Sequence, residues 1–376
     1  METKTKQFFA GLAILIGTAI GAGVLGIPYV VVKIGFLAGL IYILFLGLII
    51  ILVNLYLGEI ILRTKGKHQL SGYAEKYLGK KGKLFMNFAF IFGIYSAIVA
   101  YTFGIGESFS FLFFKDASQS ILMGLVFAIF MSILIWGGLK QLKRFEKWGV
   151  EVILILLGLI IFLFIKKISF DNLIGFYPNY LFLPFGVILF ALLSFSSIPE
   201  INFVLKNDKK QMKKILFFGT LISITFYVLF AFVVVGFKGI ETPEIATFAL
   251  GPIFVVLGIF AMFTSYLALG NALKDHFKYD SNYKKTKAWF LTAIIPIFIF
   301  LFVKIFKYFS FTKILSIGGV VSGGLTAVLI LLMIRKSKEK GNRKPEYSIP
   351  VSWFVIGLLT LIFILGVLRE VFVALN

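Results

Sequence analysis

The sequence predicts an all-α integral membrane protein of eleven transmembrane helices, a 5+5 inverted repeat with broken helices 1 and 6 plus one extra helix. Three observations carry this. Apolar runs follow one another along the chain, each near the ~20 residues that cross ~30 Å of hydrocarbon. Basic residues gather in alternate gaps between the runs. Two runs, five apart, are interrupted by glycine, serine and proline where a helix in lipid should be continuous.

The composition agrees. The 376 residues are 60% hydrophobic and 15% charged, against roughly 25% charged in soluble domains. With no cysteine, disulfides and thiolate chemistry are excluded. The spans fall at about 8–32, 35–61, 84–113, 119–138, 148–166, 182–205, 212–237, 246–273, 287–304, 311–334 and 350–373. They make one transmembrane domain over 1–376, with repeat one at about 8–166, repeat two at about 182–334 and the extra helix at about 350–373. No small-residue cleavage site follows the polar tail Met1–Gln7, so span one is expected to be retained.

Charge sets the orientation. The tail holds Lys4 and Lys6, and the alternate gaps hold seven Lys/Arg in Arg63–Lys83, four in Lys140–Lys147, five in Lys206–Lys214, five in Lys274–Lys287 and six in Arg335–Lys344. These are 29 of the 38 basic residues, and the positive-inside rule makes their side cytoplasmic. The N-terminus is then inside and the C-terminus outside, in the cell membrane. Topology accounts for the net charge of +21, so no nucleic acid is expected as a partner. In the first inner loop Leu70, Tyr73, Ala74, Tyr77 and Leu78 recur at helical spacing, predicting an amphipathic helix on the inner surface. Thr242 before Pro243 predicts a short helix in the outer gap after span seven.

Span one carries Gly17, Gly21, Gly23 and Gly26 within ten residues, then Pro28. Glycine loses the most backbone freedom on folding and is a poor helix former. The amides and carbonyls it frees inside lipid must be satisfied by protein, water or a ligand. The stretch therefore reads as a broken helix holding a small polar substrate, although the Gly17/Gly21 spacing also suits close helix packing. Span six carries Ser194, Ser196, Ser197 and then Pro199, which removes an intrahelical donor. Pro199 alone would fit an ordinary kink. Span one runs outward and span six inward, and interrupted helices at such inverted positions point to a transporter with its site at the midplane.

Gly17-Thr-Ala-Ile-Gly-Ala-Gly-Val-Leu-Gly-Ile-Pro28 resembles the first-helix signature of the amino acid/polyamine/organocation transporter superfamily. With eleven spans, Gly58-Glu-Ile, Arg63-Thr-Lys-Gly66 and Ser196-Ser-Ile-Pro-Glu200, the chain is most similar to the amino acid/auxin permease branch. The resemblance implies a LeuT-like fold and secondary active transport of a neutral amino acid, hydrophobic or aromatic, by cation-coupled alternating access. It implies that main-chain amides of Gly21, Ala22 and Gly23 hold the carboxylate, where a half-helix N-terminus favours an anion. Carbonyls near Ala19, Phe195 and Ser196, with Ser197 beside them, would meet the ammonium. Spans three, six, eight and ten would line the side-chain pocket through Tyr95, Tyr101, Phe195, Tyr266 and the Ile317-Gly318-Gly319 stretch, although each aromatic also reads as packing. No cofactor is implied beyond a coupling sodium or proton. Carbonyls of Gly17 and Ile20 with the hydroxyls of Thr264 and Ser265 would ligate sodium; those hydroxyls could equally serve carbonyls one turn back. The lysine that some proton-coupled relatives carry there has no counterpart in the middle of span five, which favours sodium, although a carboxylate could take its place.

Acids inside spans are functional candidates by default. Glu59 and Glu151 lie four residues from Arg63 and Lys147, as helical ion pairs do. Glu200 opens the inner half of helix six, where it caps or gates. Glu107, after Gly104 and Gly106, is the candidate outer gate or protonatable group. Alternative cargoes are a polyamine, a nucleobase or an ion, and a polyamine would call for a midplane carboxylate that is missing. A channel is the third reading. A membrane-embedded enzyme needs a base, nucleophile or metal constellation; the two histidines, His68 and His276, stand apart in basic loops, so no enzyme and no metal site is expected. The partners are an amino acid and the lipid bilayer, with the oligomeric state left open.

Overall fold

Span one folds as two helices, α1 (Glu2–Ala19) and α2 (Gly23–Ile34), which meet at 55°. The break falls at the glycine cluster; Pro28 sits inside α2 without ending it. The computed structural model describes residues 2–66, 68–137, 155, 157–206, 208–281, 283–307 and 309–375. The helices that follow are α3 (Phe36–Leu62), α4 (Leu70–Phe114), α5 (Ser120–Gly137) and α6, helical over 157–164. Then come α7 (Leu183–Leu192), α8 (Ile198–Val204), α9 (Met212–Lys238), α10 (Pro252–Asp275) and α11 (Lys285–Phe306). The last three are α12 (Phe311–Gly318), α13 (Leu325–Lys340) and α14 (Trp353–Leu375). Among the described residues nine spans are long and apolar enough to cross a bilayer, ten with the bent α1–α2 pair. The first part of the expected fifth span, 148–154 with Glu151, lies outside the described residues, as do residue 156 and Lys147 before the span.

Span six is α7, an irregular turn at Leu193–Ser194, a 3₁₀ turn at Phe195–Ser197, and α8 with Pro199 in its first turn. Proline is well suited there, because the first-turn amides of a helix have no intrahelical acceptor. The two broken spans pack with α3 and α9 into one bundle, in which α2 lies on α7 and α3 on α9. A second group comprises α4, α5, α10 and α11. Span ten runs along α4, α7 and α3, and α14 docks on its outer side.

Three expectations are corrected. The helix beginning at Leu70 does form, and turns into span three at Gly79 (φ 76°), where glycine alone is unstrained. Its apolar face, Leu70, Tyr73, Ala74 and Tyr77, is buried by protein and not spread on the membrane surface. The outer gap forms two short 3₁₀ turns, Gly239–Glu241 and Ala246–Ala249. Span ten is not one α-helix: Gly319–Gly324 is a π-helical segment between α12 and α13.

The end of α3 is strapped by the segment after α13. Glu59, with its side chain fully buried, pairs with Arg63 at 2.8 Å and Lys338 at 3.1 Å. It also accepts from the Ser348 hydroxyl (2.9 Å) and the Ile349 N–H (2.7 Å). The Tyr347 hydroxyl donates to the Leu55 carbonyl at 2.7 Å, and Tyr56 to Pro350 at 3.1 Å. The expected pairing of Glu59 with Arg63 is thus one strand of a larger network.

Candidate substrate site

The two breaks face each other. A Cβ placed on Gly23, the first residue of α2, would stand 2.6 Å from the Cα of Ala191 near the end of α7. Between the breaks lies a cavity of about 90 Å³, lined by Thr18, Ala19, Gly21 and Gly23 of span one and Phe190, Ala191, Leu193, Phe195 and Ser196 of span six. Span three contributes Phe90, Gly93, Ile94, Ala97 and Tyr101. Leu269 of α10, Ser322 and Thr326 of span ten, and Leu70 complete it. Not one lining side chain is charged.

Span one is unwound because its hydrogen bonds change register. The Gly21 N–H donates to the Ala19 carbonyl (3.1 Å), two residues back, and no longer to Gly17 four residues back. The Gly17 carbonyl loses its usual donor in consequence. Ala22 is the N-cap of α2 and supplies no side-chain cap; its carbonyl accepts from the Leu25 N–H (3.0 Å), so the Gly23 and Val24 amides are the ones left to water or a ligand. The Tyr101 hydroxyl faces Ser265 and the Ala22 main chain. A Cβ on Gly21 would meet that hydroxyl at 2.8 Å and the Ser265 Oγ at 3.2 Å. Tyr227 of α9 reaches both breaks, its hydroxyl 2.8 Å from the Ala19 carbonyl and 2.7 Å from that of Ala191. Asn54 of α3 adds a second tie, donating to Ser194 (3.2 Å) and Thr220 (3.0 Å).

The expected residues divide. Ala19, Gly21, Gly23, Phe195, Ser196 and Tyr101 line the cavity. Ala22 is buried behind it. Ser197 turns back to donate to the Ser194 carbonyl at 2.7 Å and serves the break, not the cavity. Tyr95 points to span nine, where its hydroxyl donates to the Leu291 carbonyl at 2.8 Å. Tyr266 is fully buried, edge-on to Phe127 with ring centroids 5.4 Å apart. Of the hydroxyl pair, Ser265 stands at the break, whereas Thr264 donates to the Ala261 carbonyl at 3.0 Å. Glu200 is exposed in the first turn of α8 and does not line the cavity.

Glu107 also stands away from the cavity, because Lys304 of span nine claims it at 2.7 Å. Lys304 lies over the Phe103 ring, 3.5 Å from its centroid. Glu107→Gln is expected to lower stability by about 1–3 kcal/mol through the stranded ammonium, with the pH profile of uptake unchanged. Thermal unfolding and uptake across pH check both; a shifted profile would restore a gating role. A further acid, Glu370 of α14, is buried against Ser316 of α12 and was missed in the sequence reading.

The cavity extends from the breaks toward the side of the basic loops, where Leu70 lies. The opposite side is closed. A Cβ on Gly26 of α2 would meet Leu315 at 3.0 Å, Val187 at 3.2 Å and Thr312 at 3.4 Å, and Gly186 and Gly319 pack backbone to backbone. Glu244 of the outer gap accepts from the Thr312 N–H (3.1 Å), fastening the gap to α12.

The tryptophan/tyrosine permease family model matches residues 4–371 of this chain. The chain belongs to that family. Relatives of the permease include glutamine transporter 2 of Aliivibrio fischeri, 24% identical over 92% of this chain and 93% of the relative. The tryptophan-specific transport protein of Haemophilus influenzae is 21% identical over 99% and 97%. Tyrosine-specific transport system 1 of Haemophilus influenzae is 27% identical over 57% and 54%. In fold, the permease is similar to MhsT, solved in complex with L-phenylalanine: TM-score 0.65, 16% identity, covering 97% of this chain and 98% of that one. The permease is therefore a multi-pass membrane transporter of amino acids, and the enzyme reading is set aside.

Proposed function

We propose that this permease carries a neutral amino acid with a large apolar or aromatic side chain by cation-coupled alternating access. The observation that carries the proposal is a cavity at two broken helices with no charged side chain in its lining. Both charges of a zwitterion must then be met by main-chain dipoles and neutral hydroxyls such as those of Thr18 and Ser196. The first-turn amides of α2 serve the carboxylate, as a half-helix N-terminus favours an anion. Of the three amides expected there, Gly21 is turned to Ala19 and Ala22 faces Tyr101, so Gly23 and the next residue carry the role. The Ala19 carbonyl and those of the span-six break serve the ammonium. Phe90, Ile94, Ala97, Phe190 and Leu193 form an apolar wall for the side chain. The names of the relatives, for glutamine, tyrosine and tryptophan, support a neutral cargo.

The finer architecture is part of the same reading. We place the chain in the amino acid/polyamine/organocation superfamily, with eleven spans, an inside N-terminus and an outside C-terminus in the cell membrane. Exchange of helices five spans apart maps the packing onto itself: α3 on α9, α4 on α10, α5 on α11, and span one on span six. That pattern supports repeats at about 8–166 and 182–334 with an extra helix at about 350–373. The cavity then opens to the cytoplasm. For a coupling sodium the donors fit in part: the Gly17 carbonyl is relieved of Gly21 and Ser265 stands at the break, while the Thr264 hydroxyl is engaged one turn back.

The test is thermal stabilisation of the purified permease against the twenty amino acids, with and without sodium. At a ligand concentration of about 100 Kd the expected gain is roughly 2.7 kcal/mol. Large neutral amino acids should stabilise and charged ones should not. Stabilisation by arginine or glutamate alone would reject the reading. Uptake with choline in place of sodium, at clamped pH, separates sodium from proton coupling.

A further inference from the structure

Tyr227 offers one proton to two carbonyls. Its hydroxyl lies 2.8 Å from the oxygen of Ala19 and 2.7 Å from that of Ala191, and the residue is fully buried in α9. A phenol donates a single hydrogen bond at a time, so the two carbonyls share it. They are not equivalent. The Ala19 oxygen also accepts from the Gly21 N–H at 3.1 Å, so both of its lone pairs are in use. Among the described residues, the Ala191 oxygen accepts from Tyr227 alone. Both alanines line the cavity, whereas Tyr227 stands behind them.

We propose that Tyr227 is a positioning residue that switches with occupancy: in the empty carrier it ties the two breaks together, and on loading it gives up Ala19 to the substrate ammonium. This rests on the reading above, in which an ammonium reaches the Ala19 carbonyl. With both lone pairs of that oxygen engaged, an incoming ammonium has to displace a donor. Gly21 is bound by its own chain, whereas the Tyr227 hydroxyl has a second acceptor within reach. Rotation of the O–H bond toward Ala191 releases Ala19 and leaves no buried donor or acceptor unpaired. The phenol oxygen need not move. Unloading reverses the rotation, so the tie re-forms whenever the carrier is empty, and it joins span one, span six and span seven across the site.

The consequence is a split between affinity and turnover. Tyr227→Phe keeps the ring and removes the competitor, so amino acid binding should tighten by up to about five-fold, the equivalent of one net hydrogen bond less what the hydroxyl regains at Ala191. The empty carrier loses its tie, so net uptake, which requires the empty carrier to reorient, should fall. Exchange, in which the carrier reorients loaded in both directions, should persist. A purely structural tyrosine would give weaker binding and would lower uptake and exchange together.

The experiment uses the full-length protein in liposomes, with L-tryptophan as the probe and indole-3-propionate as its counterpart without the amine. Binding is read by thermal stabilisation and transport by net uptake and exchange. In the parent protein, indole-3-propionate should bind much more weakly than L-tryptophan. Equal binding of the two, or none of either, overturns the ammonium or cargo reading and the switch with it. If that control holds, tighter binding by Tyr227→Phe with exchange spared supports the switch. Unchanged or weaker binding, or equal loss of both transport modes, overturns the switch while leaving the reading intact. Should Tyr227→Phe fail to fold, 3-fluorotyrosine at position 227 replaces it. Its stronger donor should weaken L-tryptophan binding, and unchanged or tighter binding overturns the proposal.

Discussion

Gly23→Val is expected to abolish uptake, at least a hundred-fold below the parent, while protein still reaches the membrane. The added Cβ would lie 2.6 Å from the Ala191 Cα, a main-chain atom that no rotamer change can remove. Overpacking of this kind typically costs ~1–3 kcal/mol, and here the strain falls on the seam that sets the two breaks against each other. Gly21→Val should behave alike for a different reason. Its Cβ would press on the Tyr101 hydroxyl and the Ser265 Oγ, at 2.8 and 3.2 Å, which are the ends of side chains and can shift. Gly21→Ala is therefore expected to keep measurable uptake with weakened affinity, and Gly23→Ala to keep none. Uptake corrected for surface-accessible protein tests the pair. Full transport by Gly23→Val would refute the placement of the site at this seam.

The second large effect is on stability. Glu59 is fully buried and held by Arg63 and Lys338, which are themselves partly exposed. Arg63→Gln combined with Lys338→Gln leaves the carboxylate without a cation, a change expected to cost about 3–5 kcal/mol. Adding Glu59→Gln should recover part of that loss, because an amide costs less to bury than an unpaired carboxylate. Melting of the purified variants reads both steps. A double variant as stable as the parent would show that the neutral donors Ser348 and Ile349 alone hold the carboxylate.

The spans were legible because bilayer thickness imposes a length, and the breaks because glycine and proline cannot be hidden in a continuous helix. The family signature at Gly17–Pro28 then pointed to the site. Which aromatics face that site was not legible. Spans that are apolar on every side carry no stripe to tell cavity from neighbour, so Tyr95 and Tyr101 look alike in sequence although the first turns to Leu291 and the second to Gly21. The same limit applies to Leu70–Leu78, whose spacing defined an apolar face without saying whether lipid or protein covers it. Tyr227 gave no local signal, since its acceptors lie 208 and 36 residues away. The π-helical segment had a signal in the paired glycines 318–319 and 323–324, of which only the first pair entered the sequence reading, as part of the side-chain pocket.

That segment puts the two halves of span ten out of phase. An α-helix advances ~100° per residue, and a π turn accommodates about one residue more than the α-helical turn it replaces. Up to its first residue, the register of α12 sets Ser316 and then Gly319 against Gly186 and closes the outer seam. Within and beyond it, a different column of side chains, Ser322 and Thr326, is presented to the cavity. Closure and ligand contact are thus written in separate registers of one helix. Substitutions after Gly319 can alter what the cavity accepts without re-cutting the seam that seals it.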